Sequence, residues 1–175
     1  AIIAYIRSLT PIENKTEASV ATFPMNFILN TIPKPAEFTK LPSPSDQVAY
    51  GKYLVNAASC NDCHTKKVKG KIAGESFAGG FEFKFPDGSI VSSMNITPDP
   101  TGIGTWDKET FISRFRVYSD SGYVPQKVKD GEFKTVMPWG MYAGMTNQDL
   151  EAIFAYLKTL KPANNTVERF KTASM

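Results

Sequence analysis

Five consecutive residues, Cys60-Asn61-Asp62-Cys63-His64, constrain this chain more than any other feature, because they hold both of its cysteines and its single histidine. Two thiols with two residues between them stand one helical turn from each other, and an imidazole follows the second directly. This is the C-x-x-C-H spacing of covalent c-type haem attachment. Both sulfurs can add across the two vinyl groups on one edge of the macrocycle. The imidazole then reaches the iron from the same side. A cofactor bound in this way cannot dissociate, so it acts as core material, and the apoprotein is expected to be poorly folded.

Other uses of the same residues fit less well. A thiol redox pair normally follows a buried strand, whereas Tyr50 to Ala58 reads as a helix. A structural zinc ion wants four ligands, usually with a second Cys or His pair, and the chain has none to offer. A Cys60–Cys63 disulfide would close a very small loop and stabilise little.

The 175 residues suffice for one domain and an appendage. With 42% hydrophobic and 21% charged residues, the composition is that of an ordinary globular protein. A net charge of +3 with scattered lysines argues against nucleic-acid binding. Two haem propionates would bring it near neutrality. Residues Ala1 to Leu9 lack the charged start and small-residue cleavage site of a signal peptide. No stretch approaches the ~20 apolar residues of a membrane span.

Residues 1–11 and 152–162 are alike: AIIAYIRSLTP against AIFAYLKTLKP, with six of eleven positions identical. Asn14 and Asn165 match three residues beyond the shared proline. Such a repeat predicts that residues 1–11 are the last helix of a preceding domain of the same kind. Residues 12–44, punctuated by Pro24, Pro33, Pro35, Pro42 and Pro44, read as a linker, with one short turn near Phe27. The domain proper is expected over 45–163, followed by a tail over 164–175.

Within the domain, Ser45 or Asp46 can cap a helix reaching about Ala58, with Val48, Gly51, Leu54 and Val55 on one face. Gly51 inside a helix costs about 1 kcal/mol against alanine, so a close helix crossing is expected there. Lys66, Lys67, Lys69 and Lys71 form a basic, flexible stretch, able to steer an acidic partner. Phe81 to Phe85 alternates with period two, and Pro86-Asp87-Gly88-Ser89 turns the chain back towards Ile90-Val91, a small hairpin. Its three phenylalanines either cover a flat ligand edge or fill a local core. Asp107 caps a helix reaching about Tyr118, with Phe111 and Phe115 inward. Thr146 and Asp149 form a capping box that opens a last helix carrying Leu150, Ile153, Phe154 and Leu157. Lys158 and Lys161 lie near its C-terminal end, and Pro162 stops it. The fold is mostly α, with three to four helices around one haem.

An iron held by His64 needs a ligand opposite, and methionine is the soft donor available; a His/Met pair raises the reduction potential. Met25 in the linker and Met175 at the end are poor candidates. Met94, Met137, Met141 and Met145 remain. Met137 precedes Pro138, which biases it to extended backbone in a loop, the arrangement that presents a thioether at little ordering cost.

The order Gly51, Cys60-x-x-Cys63-His64, Asn95-Ile96-Thr97-Pro98-Asp99, Thr101-Gly102-Ile103-Gly104-x-Trp106, Met137-Pro138, Asp149-Leu150-x-Ala152 and Ala155-Tyr156-Leu157 resembles the class I cytochrome c domains. In particular it resembles those in multi-haem cytochrome subunits of membrane-bound alcohol, gluconate and related sugar dehydrogenases. The likeness covers about 46–162. It implies Met137 as distal ligand, Gly51 and Tyr156 at a helix crossing, and Trp106 with Asn95 and Thr97 bordering the haem propionates. The chain departs from the pattern at Tyr118, where the family has glycine, and in a longer, more polar segment over 119–135. Met94 is unusual before Asn95 and is kept as a minor alternative to Met137 for the iron.

The function expected is electron transfer through one haem c and its iron, with Cys60, Cys63, His64, Met137, Asn95, Thr97 and Trp106 as cofactor-binding residues. An iron with both axial positions filled has no vacancy for oxygen or peroxide, which argues against catalysis. A five-coordinate iron would instead mark a peroxidase or gas sensor. Partners are expected to be redox proteins: a dehydrogenase or oxidase subunit, or another haem domain. Bacterial thioether formation takes place outside the cytoplasm, so a periplasmic or membrane-attached location is expected.

Overall fold

The computed structural model describes residues 2–32, 34–35 and 39–173. Ala1, Pro33 and Met175, which entered the readings of the first helix, the linker and the iron ligands, lie outside the described residues. The chain divides into two compact units, Ala1–Thr39 and Lys40–Met175.

The first unit holds α1, Ile2–Ser8, and α2, Met25–Thr31. The first is the helix expected from the repeat. The second corrects the reading of 12–44 as a linker without regular elements. The run Met25 to Thr31 is free of proline, and Pro24 occupies the N-cap of the helix. Proline is tolerated at a helix start because the backbone N–H it lacks has no partner there.

The second unit is built on two helices that cross. Asp46 accepts the Ala49 N–H at 3.1 Å and opens α3, Gln47–Ala57. Next come α4, Cys60–Cys63, and α5, Lys108–Arg116, in which Asp107 caps Thr110 N–H at 2.7 Å. A single 3-10 turn, Val117–Ser119, extends α5. A short α6, Trp139–Tyr142, precedes α7, Asn147–Lys158. The capping box forms as expected: Thr146 Oγ1 accepts the Asp149 N–H at 3.1 Å, and Asp149 Oδ2 accepts the Thr146 N–H at 2.9 Å.

Helices α3 and α7 cross at Gly51. A Cβ at that position would lie 1.9 Å from the Ala152 carbonyl oxygen and 2.9 Å from Tyr156 Cβ. No side chain fits, which accounts for a residue that otherwise weakens a helix. Around the crossing, Val55, Phe77, Ile103, Phe111, Phe115, Leu150, Ile153 and Leu157 form the buried core. Lys158 does not cap its own helix. Its Nζ reaches the Gly104 carbonyl at 2.8 Å and ties α7 to the loop before α5.

The strands are short. β1, Lys67–Val68, and β2, Lys71–Ile72, pair antiparallel through a turn at Lys69 and Gly70, both at positive φ. The basic stretch is thus a small hairpin, with Lys67 paired to Asp62 at 3.2 Å. β3, Glu82–Lys84, and β4, Ile90–Ser92, form the expected second hairpin, with Phe83 opposite Val91. The rings of Phe81 and Phe83 lie 4.9 Å apart, and Lys134 Nζ sits 4.3 Å from the Phe85 ring.

β5, Phe170–Lys171, pairs with β4, placing Phe170 opposite Val91. Residues 164–173 are therefore not a tail. They complete a three-stranded sheet, because β4 has a second edge to fill and its Ser92 N–H donates to the Arg169 carbonyl at 2.9 Å.

Candidate haem site

The two thiols and the imidazole are presented by a turn that backbone geometry sets. Ser59 adopts left-handed φ of +53° and breaks α3 from α4. α4 then carries Cys60 and Cys63 one turn apart, and the His64 N–H donates to the Cys60 carbonyl at 2.9 Å. The Thr65 hydroxyl, fully buried, donates to Asn61 Oδ1 at 2.5 Å and accepts the Phe77 N–H at 3.1 Å. Burial pushes the Cys60 thiol up to about 11, so at neutral pH it is an uncharged, half-buried SH group.

His64 Nδ1 lies 2.7 Å from the Met94 carbonyl oxygen. A carbonyl only accepts, so Nδ1 carries the hydrogen and the Nε2 lone pair is free. A hydrogen bond of this kind fixes the tautomer and ring orientation of a metal-binding imidazole. Burial lowers the His64 pKa, against the opposing pull of the Met94 carbonyl, so the ring is kept neutral, the form that binds a metal.

The Met94 carbonyl is itself held. Gly79, at φ +75°, passes so close that a Cβ there would lie 2.5 Å from Met94 C. Its N–H donates to the His64 carbonyl at 2.7 Å. The next residue, Asn95, is only 3% exposed. Its Nδ2 donates to Thr101 Oγ1 at 2.9 Å and to the Ala163 carbonyl at 2.8 Å. Its Oδ1 accepts the Thr97 N–H at 2.9 Å and the Thr97 hydroxyl at 2.8 Å. Thr97 Oγ1 accepts the Ala163 N–H at 3.2 Å. Every polar atom of the Asn95 side chain and the Thr97 hydroxyl are thus spent on fastening the loop behind His64 to the chain after α7. Trp106 is half-buried against the core.

The methionines separate. Met141 is 80% exposed. Met94 is 39% exposed, and its carbonyl sits at the Nδ1 edge of His64, away from Nε2. Met137 and Met145 are half-buried and packed on the core. Thr135 Oγ1 accepts both the Met137 N–H, at 3.2 Å, and the Trp139 indole N–H, at 3.0 Å. Trp139 stacks on Tyr118 with 5.2 Å between centroids and 7° between planes. Tyr118 thus supports the segment after Met137. An open cavity of about 370 Å³ lies there, lined by Tyr118, Tyr123, Thr135, Met137, Pro138 and Trp139 among others.

Two residues that the sequence did not single out join this segment to the rest. Tyr142 donates to the Ala58 carbonyl at 2.8 Å, just before the cysteines. Burial first, then the proximity of Cys60 and Cys63, raises its pKa. Arg116 donates to the Ala143 carbonyl at 2.6 Å, the Met145 carbonyl at 2.7 Å and Asn147 Oδ1 at 2.8 Å. A basic residue in the last turn of α5 was a faint signal for Arg116; nothing local marked Tyr142.

The donor set fits covalent haem: two thiols one turn apart, a neutral imidazole with Nε2 free, and an apolar surround. With this geometry, a helical domain that carries a C-x-x-C-H turn defines a c-type cytochrome. The cytochrome c family profile matches residues 48–161, and the chain belongs to that family, whose cofactor is a covalently bound haem c with iron. It is 37% identical over 111 residues to the cytochrome c subunit of a quinone alcohol dehydrogenase of Gluconacetobacter polyoxogenes, covering 62% of this chain and 21% of that one. It is 31% identical over 139 residues to the cytochrome subunit of a fructose dehydrogenase of Gluconobacter japonicus, covering 77% and 26%. The cytochrome c subunit of a quinone alcohol dehydrogenase of Gluconobacter oxydans is 33% identical over 109 residues, covering 61% of this chain and 20% of that one. The chain thus spans about a quarter or less of the length of these relatives.

Proposed function

We propose that the domain is a class I, His/Met-ligated electron carrier, with haem c attached at Cys60 and Cys63 and with His64 and Met137 as axial ligands. When bound, haem c supplies a one-electron iron couple. The observation that carries the reading is the His64 Nδ1 to Met94 carbonyl bond, 2.7 Å long. It fixes the tautomer and aims the imidazole, which burial keeps neutral, while the thiols project from the short helix just before it.

Met137 is preferred over Met145 because the Thr135 hydroxyl and Pro138 restrain its backbone on both sides. The Met145 carbonyl is instead drawn into the Arg116 grip at the start of α7. Asn95 and Thr97 serve by fixing the Met94 carbonyl. The Trp106 indole N–H is the donor suited to a propionate. With both axial positions filled by side chains, the domain makes and breaks no substrate bond.

Its relatives are cytochrome subunits of dehydrogenases, so its partners are a dehydrogenase subunit and further haem domains, met outside the cytoplasm. No helix among the described residues is long and apolar enough to cross a membrane. Lys66, Lys69 and Lys71 on the β1–β2 hairpin stand near the haem turn, where they favour an acidic partner surface. Charge reversal at two of them should slow electron transfer at low salt and leave it unchanged at high salt.

The deciding experiment uses matured, haem-loaded protein. Met137→Ala should abolish the weak sulfur-to-iron absorption of the ferric form and lower the reduction potential. Met145→Ala should leave both as they were. An unchanged spectrum and potential in Met137→Ala would remove the assignment.

A further inference from the structure

Between the 3-10 turn ending at Ser119 and the start of α6, residues 120–138 contain no helix or strand. A connection of that length without elements of its own is costly to hold in one arrangement. Met137 stands at its far end, so the precision with which it is presented depends on what pins the loop.

The pin comes from a remote turn. Asp87, on the β3–β4 turn, accepts the Gly131 N–H at 3.0 Å and Lys134 Nζ at 3.1 Å, both on Oδ2. Its other oxygen accepts the Ser89 N–H at 2.9 Å and the Ser89 hydroxyl at 2.6 Å, so the carboxylate is fixed before it reaches the loop. The Asp87 and Lys134 side chains are only 15% and 27% exposed, so the pair is screened less than a surface pair. Lys134 Nζ also lies over the Phe85 ring. Between the two contacts, Phe133 packs edge-on to Phe170 at 5.9 Å and beneath the Arg169 guanidinium at 3.9 Å. Thr135 then takes over, holding Met137 and Trp139.

We infer that Asp87 is a positioning residue for the distal thioether, acting through Gly131 and Lys134 to hold shut the loop that carries Met137. The inference rests on Met137 being the axial ligand. An external base would take the iron position only after the Met137 thioether had left it, which a swing of the loop permits. Imidazole entry therefore reports how often the loop opens.

The test is carried out on haem-loaded ferric protein. Asp87→Asn and Lys134→Met should each raise the rate of imidazole entry about tenfold, as expected for loss of a charge-assisted, partly buried contact. The double variant should add little to either single one. Amide hydrogen exchange should quicken from Gly131 to Trp139 and stay as in the parent in α7. Lys171→Gln removes the Lys171–Glu82 pair, 3.6 Å long on the same sheet, and should change neither readout. Parent-like imidazole entry in Asp87→Asn and Lys134→Met overturns the inference, as does an equal rise in Lys171→Gln or a loss of protection spread over α7. Met137→Ala separates the two claims. If it keeps the sulfur-to-iron absorption, the ligand assignment fails and this inference falls with it. If it loses that absorption while the Asp87 and Lys134 variants admit imidazole at the parent rate, only the role of Asp87 is refuted.

Discussion

The two sides of the haem site are built by different means. Behind His64, a buried and fully satisfied polar network holds one carbonyl oxygen in place: Asn95, Thr97, Thr101 and Ala163 spend their hydrogen bonds on one another. Around Met137, a long loop is held by spaced contacts at its edge, through Asp87, Phe133 and Thr135. A buried network that is satisfied throughout is rigid, because loosening one member strands its partners away from water. A loop held by partly exposed contacts gives way one contact at a time. The imidazole side is thus a fixed wall and the Met137 side an adjustable one, which suits the proposed ligation, in which the thioether would tune the potential.

A change that strikes both sides at once should cost most. Gly51→Ala puts a methyl group 1.9 Å from the Ala152 carbonyl oxygen, which forces α3 and α7 apart and moves the common core. Overpacking against backbone of this kind should cost about 3 kcal/mol or more, read as a lower denaturant midpoint. Asn95→Ala comes next and confines the damage to the imidazole side. It leaves the buried Thr97 N–H without its partner and takes from the Ala163 carbonyl the shorter of its two donors, leaving only the Thr97 hydroxyl at 3.4 Å, at about 2 kcal/mol in all. If Asn95→Ala unfolds no more easily than the parent, the wall is not rigid and the contrast fails.

How much of this was legible in the sequence follows from how local each feature is. The C-x-x-C-H turn, the Asp46 and Asp107 caps and the Thr146–Asp149 capping box are decided within a few residues, and the structure places each as expected. Gly51 was readable because glycine inside a helix demands a reason. Asn95 and Thr97 stood out as a motif, but their hydrogen-bond partners include Ala163, 68 and 66 positions away. Nothing local revealed that their polar atoms were already committed. The Asp87 contact to Gly131 spans 44 positions and the Tyr142 contact to Ala58 spans 84. Asp87 read as a turn residue, which it is; that a turn carboxylate also reaches a second loop depends on the packing of the whole sheet. The short strand Phe170–Lys171 has too few residues to show any period.

Acid distinguishes the two sides more gently. Asp99, in the network, is held below the usual carboxylate range first by the Thr101 hydroxyl, then by the Thr101 N–H, against the effect of burial, with help from Asn164. Asp87 lies further below, first through the Ser89 hydroxyl, then the Gly131 N–H, the Ser89 N–H and Lys134. Depressed carboxylates stabilise the fold fully above their unfolded value of about 4. That stability is lost as pH falls below this value towards the folded one. Asp87→Asn should therefore flatten the acid slope of stability over a wider pH span than Asp99→Asn, in denaturant titrations at successive pH. Equal flattening would mean that the two carboxylates anchor their loops alike.

The smallest effect gives the sharpest comparison, because one substitution can be made on each side. Thr97→Val and Thr135→Val remove the same hydroxyl and keep the same volume. The Thr97 hydroxyl is fully buried, donates to Asn95 Oδ1 at 2.8 Å and accepts the Ala163 N–H at 3.2 Å. Its loss leaves that half-buried N–H without its acceptor, which should cost about 1–2 kcal/mol, while the spectrum of the folded haem protein stays as it was. Thr135 is exposed, and the Met137 N–H and Trp139 indole N–H that it accepts can turn to water when it goes. Stability should fall by less than about 1 kcal/mol. With its backbone tie removed, however, the proposed ligand Met137 should leave the iron more readily, so imidazole should bind to Thr135→Val more tightly than to Thr97→Val. If the order were reversed, with the ligand-binding change at Thr97 and the stability change at Thr135, the fixed wall would be on the thioether side.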